Sequence, residues 1–121
     1  MTENNQEYME EGNDSEVQSF SLILHAGNAK SSAMEGVFAA NKGNFDEAEN
    51  KLKDAGKELL LAHQMQTDLL VRMSRGEEIP VDILMVHAQD HLTVATIISE
   101  MAKQLIRMEK EIQELQAKVN G

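Results

Sequence analysis

Asp82-Ile83-Leu84-Met85-Val86-His87-Ala88-Gln89-Asp90-His91-Leu92-Thr93-Val94 opens the last third of the chain, and the run continues without a proline or an internal glycine to Gly121. Along it Leu84, His87, His91, Val94, Ile98, Met101, Leu105, Met108, Ile112, Leu115 and Val119 follow one another at steps of three and four. This is the seam spacing of helices packed side by side, so the segment reads as one long helix of roughly 37 residues, a rod of about 55 Å. Asp82 is its expected N-cap. Only the two histidines interrupt the hydrophobic seam, and a polar residue there lowers stability unless it has a partner or a chemical task.

Two further helices are expected upstream. The first starts near Ser15 or Glu16, carries Phe20, Ile23, Leu24, Gly27, Met34, Val37 and Phe38 on its inner side, and ends at Lys42-Gly43, where glycine can take a left-handed closing conformation. Asn44 then caps the second helix, with Glu47 completing a capping box. Phe45, Ala48, Leu52, Ala55, Leu59, Ala62, Gln66 and Leu69 keep the three-four rhythm to about Ser74, and Arg75-Gly76-Glu77-Glu78-Ile79-Pro80 breaks it. The fold class is therefore all-α: an antiparallel three-helix bundle with a long C-terminal helix. A bundle of this size leaves much of the seam between Ile98 and Val119 wet, which predicts self-association through the third helix.

Composition narrows the chemistry. The 121 residues fit one domain with a modest core, and aromatic content is only 3%. With no cysteine, disulfides, thiolate metal sites and cysteine nucleophiles are excluded. No uninterrupted apolar stretch approaches the ~20 residues that cross a bilayer, and the N-terminus is acidic where a signal peptide is basic, so a cytoplasmic protein without membrane insertion is expected. The formal charge is −10. Glu3, Glu7, Glu10, Glu11, Asp14 and Glu16 gather at the start with no Lys or Arg among them. Residues 1–15 read as an acidic disordered tail preceding a helical domain at 16–121. Nothing forms a basic stripe, so nucleic acid is not an expected partner.

His87 and His91 lie one helical turn apart, with Gln89 and Asp90 between them. The spacing suits a zinc clamp, but Ala88 stands where a metalloprotease helix has its glutamate, and further ligands are not apparent. No nucleophile elbow and no phosphate-cradling glycine loop occur. Imidazole as the nucleophile remains: a neutral ring can attack a phosphoryl group in line and return it, because the N–P bond is labile. Gln89 and His91 are available donors to the transferred group. If three copies of the helix met on an axis, three Asp90 carboxylates would converge, and they would not all stay ionised without a cation or shared protons. Leu84, Met85 and Val86 are the expected apolar frame for a visiting protein. His25 reads as a core residue, and His63 as either core or a support of the site.

The run Val86-His87-Ala88-Gln89-Asp90-His91-Leu92 resembles the phosphorylation motif of the lactose/cellobiose (diacetylchitobiose) class of enzyme IIA in the bacterial sugar phosphotransferase system. The resemblance extends over about residues 16–119, including Ala26-Gly27-Asn28-Ala29-Lys30-Ser31, the Gly43-Asn44-Phe45 turn, and Ala62-His63 with Gln66-Thr67. It implies a three-helix bundle assembled as a parallel homotrimer. It also implies that His87, through Nε2, takes a phosphoryl group from phospho-HPr and gives it to a cysteine of the cognate enzyme IIB. In the same way Asp90 is implied to hold a magnesium-type cation on the trimer axis, and Gln89 and His91 to line the active site. Two other classes compete: a coiled-coil adaptor with structural histidines, and the histidine phosphotransfer bundle of two-component signalling. In the latter, Lys and Gly follow the histidine closely, where this chain has Ala88, Gln89 and Asp90.

Overall fold

A computed structural model describes the backbone from Thr2 to Gly121 and the side chains from Asp14 onward. It contains α1 (Thr2–Asn41), α2 (Phe45–Ser74) and α3 (Ile83–Asn120), and no strand among the described residues. α1 and α3 run the same way with α2 antiparallel to both, and α1 packs along each of the other two more extensively than they pack on each other. The helix pattern, the end of α2 at Ser74 and the length of α3, 38 residues, follow the periodicity of the sequence. α1 shows no break at the boundary expected near Ser15: Asp14 and Ser15 are already helical, and Ser15 is buried. The rest of the expected acidic tail lies outside the residues whose side chains are described.

Both reversals close in the same way. Gly43 has φ +81, and its N–H donates to the Ala40 carbonyl while Asn44 N–H donates to that of Ala39, both at 2.9 Å. Gly76 has φ +89, and its N–H and that of Glu77 reach back to Met73 and Arg72. This paired arrangement satisfies carbonyls that the helix end would otherwise leave bare, and the left-handed residue it needs is glycine at both turns. The expected capping box does not form: the Asn44 side chain makes no cap hydrogen bond, and only its carbonyl is used, by the Ala48 N–H at 3.0 Å.

Small residues fill the seams between the helices. α1 buries Ser19, Leu22, Ala26, Ala29, Ala33 and Ala40; α2 buries Ala48, Ala55, Ala62 and Leu69; α3 buries Met85, Ala88, Leu92, Ala95, Ser99, Ala102 and Ile106. Alanine therefore recurs every seventh residue on all three helices, and short side chains let the backbones approach closely. Gly36 marks the tightest point, since a Cβ there would stand 3.3 Å from both the Ala48 carbonyl and Lys51 Cβ. The bulkier core residues, Leu22, Leu69, Met85 and Leu92, cluster at one end, beneath the start of α3.

Two expectations about facing are corrected. On α1, Phe20, Leu24 and Phe38 point outward, with only Ile23 and Val37 packed against the core. On α3, the inner ridge is Met85-Ala88-Leu92-Ala95-Ser99-Ala102-Ile106, one position away from the seam of large residues. Val94, Ile97, Met101, Leu105, Met108, Ile112, Leu115 and Val119 are exposed. The cause is common to both helices. Alanine and serine line this bundle, so the larger apolar side chains, which dominate a hydrophobic pattern, are left on the outer faces.

Candidate functional site

The site stands at the bulky end of the core. Arg72 on α2 fixes the α2–α3 connection by a two-pronged bond to Glu77, Nε to Oε2 at 3.0 Å and Nη2 to Oε1 at 2.6 Å, and reaches Asp14 on α1 at 3.4 Å. The guanidinium holds the Glu77 carboxyl below the usual carboxylate range, chiefly through that hydrogen bond. After Pro80 and Val81, Asp82 starts α3 as the sequence predicts, its Oδ1 accepting the Met85 N–H at 2.9 Å. Met85, Ala88 and Leu92 then drop into the core, which turns the positions between them outward.

His87 is exposed and His91 half-buried on that outer side. Their Nε2 atoms are 3.0 Å apart, with ring centroids at 4.4 Å and planes at 89°. Such a contact requires one ring to donate an Nε2–H and the other to offer its Nε2 lone pair, so the two rings differ in the proton on Nε2. Asp90 is exposed and sits in the outer apolar stripe between Val86 and Val94. Gln89 is placed differently. Two residues beyond His87, it is turned about 200° round the helix and faces α2, where Gln66 Nε2 donates to its Oε1 at 2.6 Å. Within one chain the structure thus brings His87, His91 and Asp90 to one side and Gln89 to the other.

The remaining histidines are structural in their contacts. His63 Nε2 lies 3.3 Å from Thr96 Oγ1, and that hydroxyl already donates to the Leu92 carbonyl, so His63 is the donor. His25 is a partly exposed partner of Glu58, Nδ1 to Oε2 at 2.5 Å, rather than a core residue. Met85 belongs to the core, which leaves Val86 and the half-buried Leu84 of the expected apolar frame, joined by the exposed Ile83.

A cavity of about 220 Å³, not expected from the sequence, lies between α2 and the start of α3, lined by Leu69, Leu70, Met73, Ile79, Val81 and Met85 with Gln66 and Gln89 as its polar edge. Its signal was the pair of apolar residues Leu70 and Met73 on the outer side of α2. His91 places a ring nitrogen 3.0 Å from His87 Nε2, and no lysine or arginine occurs in the sequence between Arg75 and Lys103. No group of three potential metal ligands exists among the described residues of one chain. Between Asp82 and Glu100 the chain carries one carboxylate, the exposed Asp90, so the expected cation fits only where several copies contribute.

An exposed imidazole with a second imidazole at its Nε2, on a helix and beside an apolar rim, suits reversible group transfer between proteins. Comparison with known proteins points the same way. The profile of the PTS system lactose/cellobiose-specific IIA subunit matches residues 17–110. The lichenan-specific phosphotransferase enzyme IIA component of Bacillus subtilis is 46% identical over 95 residues, 78% of this chain and 86% of its own length. The galactose-specific EIIA component of Lactococcus lactis subsp. cremoris is 41% identical over 97 residues, 80% of this chain and 84% of its own. The crystal structure of the PTS cellobiose-specific enzyme IIA from Bacillus anthracis superposes with a TM-score of 0.81 at 37% identity, covering 83% of this chain and 92% of that one. The chain therefore belongs to the lactose/cellobiose-specific IIA subunits of the sugar phosphotransferase system, whose role is phosphoryl transfer.

Proposed function

We propose that this chain is a phosphohistidine carrier that accepts a phosphoryl group from phospho-HPr on His87 and passes it to a cysteine of its cognate enzyme IIB, in the uptake of a β-linked disaccharide. The observation that carries this reading is the solvent-exposed His87 ring with His91 Nε2 at 3.0 Å. In the tautomer pair that leaves the lone pair on His87 Nε2, His91 donates to it, and this hydrogen bond opens as the lone pair turns to the phosphorus. As the N–P bond forms on His87 and the donor's own bond to phosphorus breaks, the His91 N–H is left beside a phosphoryl oxygen, where a hydrogen bond to charge is worth about twice a neutral one. The thiolate of the acceptor then forms the S–P bond and His87 leaves as neutral imidazole, so neither transfer needs a hydrolytic water.

The working assembly in this reading is a homotrimer. Val94, Ile97 and Met101 form, with Asp90, one exposed stripe that self-association through α3 would cover. Three Asp90 carboxylates gathered by that packing would repel one another, and a magnesium-type cation bound there would relieve the repulsion. Because His87 and Gln89 occupy opposite sides of α3, a site containing both draws them from two copies. Among the described residues no helix is long and apolar enough to cross a membrane, which accords with a cytoplasmic carrier serving a separate membrane component.

Incubation with enzyme I, HPr and phosphoenolpyruvate tests the assignment. Wild type should acquire an acid-labile, alkali-stable phosphate, and His87→Ala should acquire none. Equal labelling of the two would defeat it, and a chain that never labels would favour the adaptor class.

A further inference from the structure

Two side-chain hydrogen bonds join α2 to α3 among the described residues, His63 to Thr96 and Gln66 to Gln89. The second has a directional consequence. Gln66 Nε2 donates to Gln89 Oε1 at 2.6 Å, which commits the Gln89 carbonyl to α2 and turns its NH2 the other way, toward Met85 Sδ at 3.6 Å. A thioether is a weak acceptor and uses one of the two amide hydrogens. The same sulfur is held from α1 by Ser19 Oγ at 3.8 Å, so it is fixed but weakly bonded. Gln66 is therefore the stronger of the two partners that hold the Gln89 amide, and in the orientation found it takes the carbonyl and leaves the NH2 to the cavity the pair shares. Without it, a half-turn of the amide would put the carbonyl there at little cost.

On the carrier reading above, that choice matters. A phosphoryl group brings about 1.5 to 2 negative charges, which an amide N–H stabilises and an amide carbonyl repels. Gln89 faces away from the His87 of its own helix, so a phosphoryl group within its reach would be carried by the His87 of a second copy. We propose that Gln66 is a positioning residue of the relay: by holding the Gln89 carbonyl it presents the Gln89 N–H to the phosphoryl group. Gln66 itself touches no reacting atom.

The test compares phosphoryl acceptance from phospho-HPr by wild type, Gln66→Glu, Gln66→Met, Gln89→Ala and the Gln66→Glu/Gln89→Ala pair, by rapid quench. A carboxylate at position 66 can only accept, so it captures the Gln89 NH2 and turns the carbonyl outward. Acceptance by Gln66→Glu should slow about 10- to 100-fold, the range of one hydrogen bond to a charged group, in kcat with KM for phospho-HPr unchanged. Gln66→Met, which merely frees the amide, should lose several-fold. In the Gln89→Ala background Gln66→Glu should cost nothing more. The Gln89 side-chain NH2 resonances should shift and exchange faster with solvent in Gln66→Met than in wild type, which reads the geometry even if Gln66→Glu does not fold. Equal losses in both backgrounds, a loss confined to KM, or an unchanged Gln89 amide signal would overturn the proposal. A wild type that takes no phosphate on His87 fails the carrier reading and this proposal with it, whereas normal labelling with uncoupled variants fails this one alone.

Discussion

Replacing Ile97 and Met101 together by glutamine should dissociate the assembly proposed above without unfolding the chain. In the isolated bundle these side chains are 54% and 57% exposed and belong to no core cluster, and glutamine is nearly as good a helix former as methionine and better than isoleucine. Stability of the single bundle should therefore move by no more than about 0.5 kcal/mol. In an assembly through α3 the other half of each side chain becomes buried, worth about 1 kcal/mol per residue by half of the usual full-burial value. Two residues in each of three copies give about 6 kcal/mol per trimer, roughly four orders of magnitude in the association constant. Sedimentation velocity at micromolar concentration measures the loss, and far-ultraviolet circular dichroism checks that helix content is kept. A doubly substituted chain that still sediments with the wild type would refute the assignment of this stripe to self-association; a chain that loses its helices would show that the stripe is needed within the single bundle.

Other outcomes follow from the geometry. Gly36→Leu puts a large side chain where even a Cβ meets Ala48 and Lys51 at 3.3 Å, so it should lower stability by about 1 to 3 kcal/mol in urea unfolding, the range of overpacked cores. Asp82→Ala removes the acceptor of the Met85 N–H and should cost about 1 kcal/mol, with increased amide exchange confined to the first turn of α3. Asp90→Asn removes the carboxylates that would otherwise converge. If they share a cation, a chelator should lower the melting temperature of wild type and leave that of Asp90→Asn unchanged; an equal response in both would argue against a cation at Asp90.

The fold was legible wherever a backbone rule governs it. Gly43, Gly76 and Asp82 mark helix ends through conformation and capping, and each does so in the structure. α2 was also read correctly, because alanine and leucine alternate on its inner face with no competing stripe of larger residues. α1 and α3 carry two apolar stripes each, and periodicity cannot say which one faces inward. The seven-residue recurrence of Ala26, Ala33 and Ala40 against Ala88, Ala95 and Ala102 does say it once close helix approach is considered. From His87 the four-residue step brings His91 to 3.0 Å, Nε2 to Nε2, and the three-residue step sets Asp90 on the neighbouring ridge of the same helix. The turn of Gln89 away from His87 follows from their two-residue offset, but its bond to Gln66 was not legible, since Gln66 lies on another helix.

The most direct test of the carrier account is a chase. The phosphorylated chain, freed of donor, is mixed with its enzyme IIB, and the phosphate on each protein is followed by mass spectrometry of intact chains and of the peptide containing His87. The account predicts that phosphate leaves His87 and appears on an enzyme IIB cysteine in equal amount and at a rate compatible with transport. Phosphate located on any other residue, or phosphate on His87 released only to water while enzyme IIB stays unmodified, would contradict it.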